Sequence, residues 1–213
     1  MVCMVRKYYN DFETDKSMEL LKELSTAVDF VLIGGWAVNF YVKMQKSKDV
    51  DVVIPTEALA YFKAYGINKH GINAFYSTIR GITVDIFVQG FSDRELTIPT
   101  NRIFVAYNTI ENVKVIEKEM LMLLKLCGYF SNDKIKIEKD IIDVVSLLFY
   151  GEIDLNKVKR YIEEYNIEER KGRLGILEYL DKGISLWEYI VNTEAEYRQL
   201  SRKYKSEIKH LLY

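Results

Sequence analysis

The sequence predicts an α+β (mixed α/β) chain: a domain over residues 1–115 built on a small mixed sheet, followed by a helical C-terminal domain over residues 116–213. Two observations carry this reading. Up to about residue 115, short apolar runs of strand length alternate with helical periods and are punctuated by glycine. From Glu117 onward the pattern reads as helices only. A third observation bounds both: 49% of the residues are hydrophobic and only two are proline, which excludes a disordered tail. A length of 213 residues accommodates one sizeable domain or two small ones.

The elements follow in order. Lys16–Ala27 reads as a helix with Met18, Leu20, Leu21 and Leu24 turned inward. Phe30–Ile33 is a short buried strand that stops at Gly34-Gly35, and Trp36–Val42 resumes with a helical period. Lys48–Ile54 reads as a strand, and Thr56–Lys63 as a helix with Thr56 as its N-cap, just after Pro55. Asn73–Ile79 and Gly81–Val88 are strands joined by an Arg80-Gly81 turn. Leu96–Ile98 and Arg102–Ala106 read as further short strands, and Ile110–Ile116 fits either class. Helices are then expected over about 117–128, 133–149, 154–164, 167–181 and 184–210, with Gly151 and Gly183 between them and Asp154 as a cap. There are no internal repeats or low-complexity segments. A cleft between the two domains is the expected place for a ligand.

Chemistry concentrates in three places. Asp49 and Asp51 stand one residue apart in an otherwise apolar strand. Aspartate is depleted in strands, and alternation turns both carboxylates to one face, where they repel. A hard divalent cation is the usual remedy, and Mg²⁺ is typically held by one or two carboxylates plus substrate phosphates. Upstream, Gly34-Gly35 at a strand-to-helix junction permits φ > 0 and close approach to the backbone, and the following helix offers free N–H groups to a phosphate. Downstream, Asp85 is the single charge in Gly81–Val88, opposite the face of Ile82, Val84, Ile86 and Val88. The competing reading makes Asp85 a half-exposed residue paired with Arg80 or a lysine.

Gly34-Gly35, Asp49-x-Asp51 and Asp85, on strands in this order, resemble the signature of the DNA polymerase β-type nucleotidyltransferase superfamily. The string Leu32-Ile33-Gly34-Gly35-Trp36-Ala37-Val38 is similar to its minimal and antibiotic-modifying branches and to the nucleotidyltransferase-like toxins of type IV toxin–antitoxin systems. The motif-bearing stretch covers roughly residues 28–90, and the usual Gly-Ser is Gly-Gly here. The resemblance implies a Mg²⁺-dependent enzyme, with two ions and Mn²⁺ as a substitute, that moves NMP from an NTP such as ATP to a hydroxyl and releases pyrophosphate. Asp49, Asp51 and Asp85 would be catalytic and hold the metal. Gly34 and Gly35 would bind the triphosphate, assisted by Ser47 and Lys48. The same toxins carry a lysine in a helix followed by an acidic motif, which implies phosphate contact by Lys125 and a supporting role for Asp140 or Asp143. Snorkelling of Lys125 and a solvated stripe of 136, 140 and 143 are the ordinary alternatives. The acceptor is open among tRNA, a protein hydroxyl and a small molecule. The rival function is a catalytically idle nucleotide-binding or antitoxin-like partner protein; a phosphohydrolase with the same metal pair is a third reading.

Charge and cysteine content narrow the setting. Formal net charge is −1 with both signs well mixed, which argues against a long duplex nucleic-acid footprint. Arg198, Arg202, Lys203, Lys205 and Lys209 cluster in the last helix; a solvated helix end is the plainer account, and a contact to RNA or an acidic partner the sharper one. Two cysteines make no disulfide framework: Cys3 reads as a free surface thiol and Cys127 as a helix core residue. His70 reads as a loop residue and His210 as a terminal surface one, neither with metal-ligand company. Without a signal-like start or a membrane-spanning run, a cytoplasmic protein with no membrane contact is the default expectation.

Overall fold

A computed structural model describes residues 6–71, 73–93, 96–127, 133–168 and 172–212. Cys3 lies outside the described residues, as does the side chain of Cys127. The fold is mixed α/β, with one mixed sheet and a helical C-terminal region, as the alternation of patterns predicts. The chain divides into two compact units, Tyr9–Glu117 and Met1–Tyr8 with Lys118–Tyr213.

The first unit opens with α1 (Asp11–Ala27), which begins a turn earlier than its apolar period because Asn10 caps it by accepting from the Glu13 amide at 3.0 Å. Leu20, Leu21 and Leu24 are buried and Met18 half-buried. Then follow β1 (Val31–Ile33), α2 (Gly34–Val42), β2 (Val50–Ile54), a 3₁₀ turn at Thr56–Ala58 leading into α3 (Leu59–Lys63), β3 (Asn68–His70), β4 (Ala74–Ile79), β5 (Ile82–Val88), α4 (Thr100–Val105), β6 (Tyr107–Ile110) and β7 (Val113–Ile116). Among the described residues the strands form one seven-stranded sheet in the order β3-β4-β5-β2-β1-β7-β6. β2 runs parallel to β5 and β1 parallel to β7; the other neighbours are antiparallel. The inner strands β1 and β2 are almost wholly buried, as near-continuous apolar runs require.

Several expectations are corrected here. Thr56 makes no side-chain cap; the segment starts as 3₁₀ after Pro55. Leu96–Ile98 is not a strand, and Arg102–Ala106 lies largely within helix α4. Ile103, Phe104 and Val105 suit a strand by composition, but Pro99 just before the helix and the Asp93 carboxylate, which accepts from the Thr100 amide at 2.8 Å, start a helix. The segment 110–116 resolves into the β6–β7 hairpin, whose turn residues Glu111 and Asn112 both have positive φ.

The second unit comprises α5 (Lys118–Cys127), α6 (Lys134–Tyr150), α7 (Leu155–Glu164), α8 (Arg173–Lys182), a 3₁₀ stretch at Gly183–Tyr189 and α9 (Glu194–Leu212). The helices expected over 167–181 and 184–210 are therefore shorter, starting at Arg173 and Glu194. Gly183, between α8 and the 3₁₀ stretch, is held in tight contact: a Cβ there would meet the Tyr197 hydroxyl at 2.2 Å, and that hydroxyl donates to the Leu180 carbonyl at 2.8 Å. Helix α6 is buried continuously from Lys139 to Phe149, so it forms the centre of this unit. Asp154 caps α7 as predicted, accepting from the Asn156 amide at 2.9 Å. The stretch 6–8 is tied to this unit by Arg6, whose amide donates to the Glu188 carbonyl at 2.7 Å, and by Tyr8, whose ring meets Tyr189 edge-on. Among the described residues no helix is long and apolar enough to cross a membrane.

Candidate active site

The antiparallel pairing of β1 with β2 sets Ile33 opposite Asp51 and so brings the end of β1 beside the carboxylate-bearing start of β2. Gly34 follows with φ +70°, a conformation that an L side chain resists. A Cβ at Gly34 would lie 1.9 Å from Asp51 Oδ2 and 2.4 Å from its Cγ, so the carboxylate is seated directly against the glycine backbone. Helix α2 leaves from this point, and its opening amides have no intrahelical acceptor.

Register then extends the site across the sheet. Asp51 is paired with Asp85 on the parallel neighbour β5, Asp85 with Tyr76 on β4, and Tyr76 with Asn68 on β3. Residues opposite one another share a face, so Asp51, Asp85, Tyr76 and Asn68 form one row across four strands. Asp51 and Asp85 stand on strands about 4.8 Å apart. Both are half-buried, while Val84 and Ile86 point to the core side. Asp49 lies in a bend just before β2, also half-buried. Burial pushes its carboxyl above the usual aspartate range; Lys48 opposes this, and Asp85 and Glu13 add to it. The electrostatic coupling to Asp85 puts the three predicted carboxylates in one neighbourhood.

The approach to β2 is pinned from behind. Trp36 Nε1 donates to Ser17 Oγ at 2.9 Å, and Ser17 Oγ donates to the Ser47 carbonyl at 2.7 Å. Ser47 itself is buried at 8% exposure, and its carbonyl is engaged by the fold, whereas Lys48 is exposed with its ammonium 5.8 Å from the Tyr9 ring centroid. Gly34, Asp51 and Asp85 thus meet, with Asp49 and Lys48 adjoining and Ser47 beneath.

Two residues on the same face escaped the sequence reading. His70 is not in a loop but on β3, with Nδ1 3.5 Å from Asp85 Oδ1. Tyr76 is paired with Asp85 across β4 and β5, and its ring is edge-on to the imidazole with centroids 6.3 Å apart. No apolar alternation marks Asn68-Lys69-His70, so nothing in the local pattern announces an edge strand. Arg80, expected as an alternative partner of Asp85, instead forms a two-pronged pair with Glu23 at 2.7 and 2.8 Å.

The donor set fits a hard divalent ion: carboxylate oxygens only, two of them on adjacent strands of one face. Among the described residues no three His, Cys, Asp or Glu side chains close around one point, so the arrangement is an open half-site and not a complete protein cage.

Lys125, Asp140 and Asp143 come together inside the helical unit. Lys125 Nζ lies 2.9 Å from Asp140 Oδ1 and 3.0 Å from Asp143 Oδ2. Lys139, not singled out from sequence, pairs with Asp143 from the other side. Asp143 has no exposed surface, Asp140 only 4% and Lys139 7%, so neither a snorkelling lysine nor a solvated stripe describes them. Burial pushes the Lys139 ammonium below its usual value, and the Asp143 carboxylate counteracts that. The group is a buried ion network whose internal pairing engages Lys125.

The chain is similar along its length to a protein of Helicobacter pylori, JHP933, solved by crystallography: 16% identity, TM-score 0.56, covering 95% of this chain and 94% of that one. That likeness concerns the fold. Comparison with curated proteins finds no significant match. A family model described as "nucleotidyltransferase of unknown function (DUF6036)" matches residues 11–175, which include the glycine pair, all three carboxylates and the buried ion network. The chain therefore belongs to this nucleotidyltransferase family.

Proposed function

We propose that the chain is a metal-dependent nucleotidyltransferase that moves NMP from an NTP to a hydroxyl acceptor. The observation that carries this is the pairing of Asp51 with Asp85 on parallel strands, with the Asp51 carboxylate against the Gly34 backbone at the start of α2. Phosphate-binding amides and metal-binding carboxylates are then neighbours, which is what phosphoryl transfer requires.

Asp49, Asp51 and Asp85 would hold Mg²⁺, or Mn²⁺ in its place; bound there, the ion neutralises charge on the phosphoryl oxygens and makes the attacking hydroxyl more acidic. The amides at Gly34, Gly35 and the first turn of α2 orient the triphosphate. Lys48, exposed beside Asp49, adds a cation at the rim. Asp85 accepts the acceptor's proton as its oxygen bonds to the α-phosphorus and the bond to the leaving pyrophosphate breaks. The acceptor class is RNA, protein or a small molecule, and an antitoxin-like protein partner would act by covering this face.

A second reading is a nucleotide-binding protein without turnover. It is favoured by the open character of the carboxylate group, in which no three ligands converge among the described residues. Label transfer separates the two. The protein is incubated with each α-labelled NTP and Mg²⁺, with RNA, protein and small-molecule fractions offered separately and Asp49→Ala as control. Label in one fraction that disappears in the variant is expected. Absence of label in every fraction from folded protein, with NTP still bound, would replace the first reading by the second.

A further inference from the structure

The helical unit carries a basic groove that the proposed reaction does not use. It lies between α8 and α9, has a volume of about 190 Å³, and is lined on the α9 side by Arg198, Ser201, Arg202 and Lys205. These positions are spaced i, i+3, i+4 and i+7, so they project from one face of the helix. Leu180 and Ile184 supply an apolar wall, and the ring of buried Tyr197 lies beside them.

Two features of this groove exceed a solvated helix face. Ser201 is buried at 6% exposure, lines the groove and makes no side-chain hydrogen bond among the described residues. Its hydroxyl has no protein partner among these residues and is open to the groove, so it can hydrogen-bond to a ligand oxygen there. The charges are also unbalanced: Arg198 is paired with Glu194 and Lys205 with Asp181, while Arg202 makes no ion pair among the described residues. Three cations and one carboxylate, Asp181, therefore line the groove, and the cation without an ion pair among the described residues is a guanidinium, the group best shaped to grip an oxyanion with two hydrogen bonds.

We propose that this groove binds a phosphate-type anion, inorganic phosphate or pyrophosphate. Arg202 supplies the bidentate contact, Ser201 one hydrogen bond, and Arg198 and Lys205 flanking charge. Size selects the small anion: drug-sized ligands occupy pockets of about 300 Å³ and above. The site lies wholly within the helical unit, so it does not rest on the nucleotidyl-transfer reading. Its occupancy ties α9 to the neighbouring residues of α8 and the 3₁₀ stretch.

The test is hydrogen exchange of the full chain with inorganic phosphate or pyrophosphate, at ionic strength matched by chloride. Amides of α8 and α9 should gain protection saturably with each anion. Arg202→Gln, an exposed substitution that leaves the circular dichroism unchanged, should weaken the apparent affinity at least tenfold, and Ser201→Ala on the order of tenfold. Asp49→Ala should leave the α8–α9 protection intact, which separates this groove from phosphate bound at the carboxylate site. A short single-stranded RNA is the contrasting arm. No protection on α8 and α9 by either small anion, protection that survives Arg202→Gln, or protection by RNA alone would each overturn the assignment.

Discussion

Replacing Gly34 by alanine tests the seat of the Asp51 carboxylate by stability alone. The backbone at φ +70° costs an alanine about 1–2 kcal/mol. The new Cβ would also stand 1.9 Å from Asp51 Oδ2, 2.4 Å from Cγ and 2.8 Å from Cβ. Relief requires the carboxylate to leave and β2 or α2 to shift, because the third contact is to an atom fixed on the strand. Overpacking of this kind costs about 1–3 kcal/mol, so Gly34→Ala should lose about 2–5 kcal/mol in all. Asp51→Ala removes the two closest contacts and leaves the third. In that background Gly34→Ala should therefore be milder, by about 1 kcal/mol or more. Urea unfolding of the four proteins gives the cycle, followed by Trp36, which is 1% exposed in this unit, with Trp187→Phe as common background. Losses that add to within about 0.5 kcal/mol would show that the carboxylate does not rest on Gly34.

Two further outcomes are expected. Burial raises the folded pKa of Asp49, so its ionised form opposes folding once the pH exceeds that value; Asp49→Asn should stabilise the metal-free protein at neutral pH, and the gain should fade as pH falls toward the unfolded aspartate value near ~3.9. Urea midpoints in EDTA at neutral and acid pH check this, and a neutral-pH midpoint no higher than wild type would contradict it. In the helical unit, Asp143→Ala leaves Lys139 buried without its partner and removes one of the two carboxylates at Lys125, so a loss of about 3–5 kcal/mol is expected from urea denaturation followed by circular dichroism. A loss below about 1 kcal/mol would mean that solvent or Asp140 compensates the lysines.

What the sequence made legible follows from how far each residue departs from its surroundings. Asp49, Asp51 and Asp85 stood out because charge is out of place in segments as apolar as 48–54 and Ile82–Val88. The glycine pair stood out because it interrupts such a run. Lys139 did not, because a lysine in a helix is ordinary until its burial is known. His70 and Tyr76 owe their position to the pairing of β3 with β4 and β4 with β5, a tertiary fact with no local signal. Helix α4 was misread for the converse reason: its branched and aromatic residues favour a strand, and its start depends on Asp93, seven residues upstream of Thr100.

The site and the sheet register are one determinant. Antiparallel pairing of β1 and β2 brings Gly34 beside the first residues of β2, and parallel pairing of β2 with β5 sets Asp51 level with Asp85. A slip of one residue between β2 and β5 would turn Asp51 and Asp85 to opposite faces, and the same slip would send Val50 and Val52 out of the core. The apolar residues that alternate with the aspartates therefore hold the carboxylates in line: burying Val50, Val52, Val84 and Ile86 fixes the face on which Asp51 and Asp85 emerge. Two like charges side by side would by themselves favour the slipped register. Because the buried valines and isoleucines oppose it, the repulsion is kept in the folded chain, where the proposed cation would relieve it.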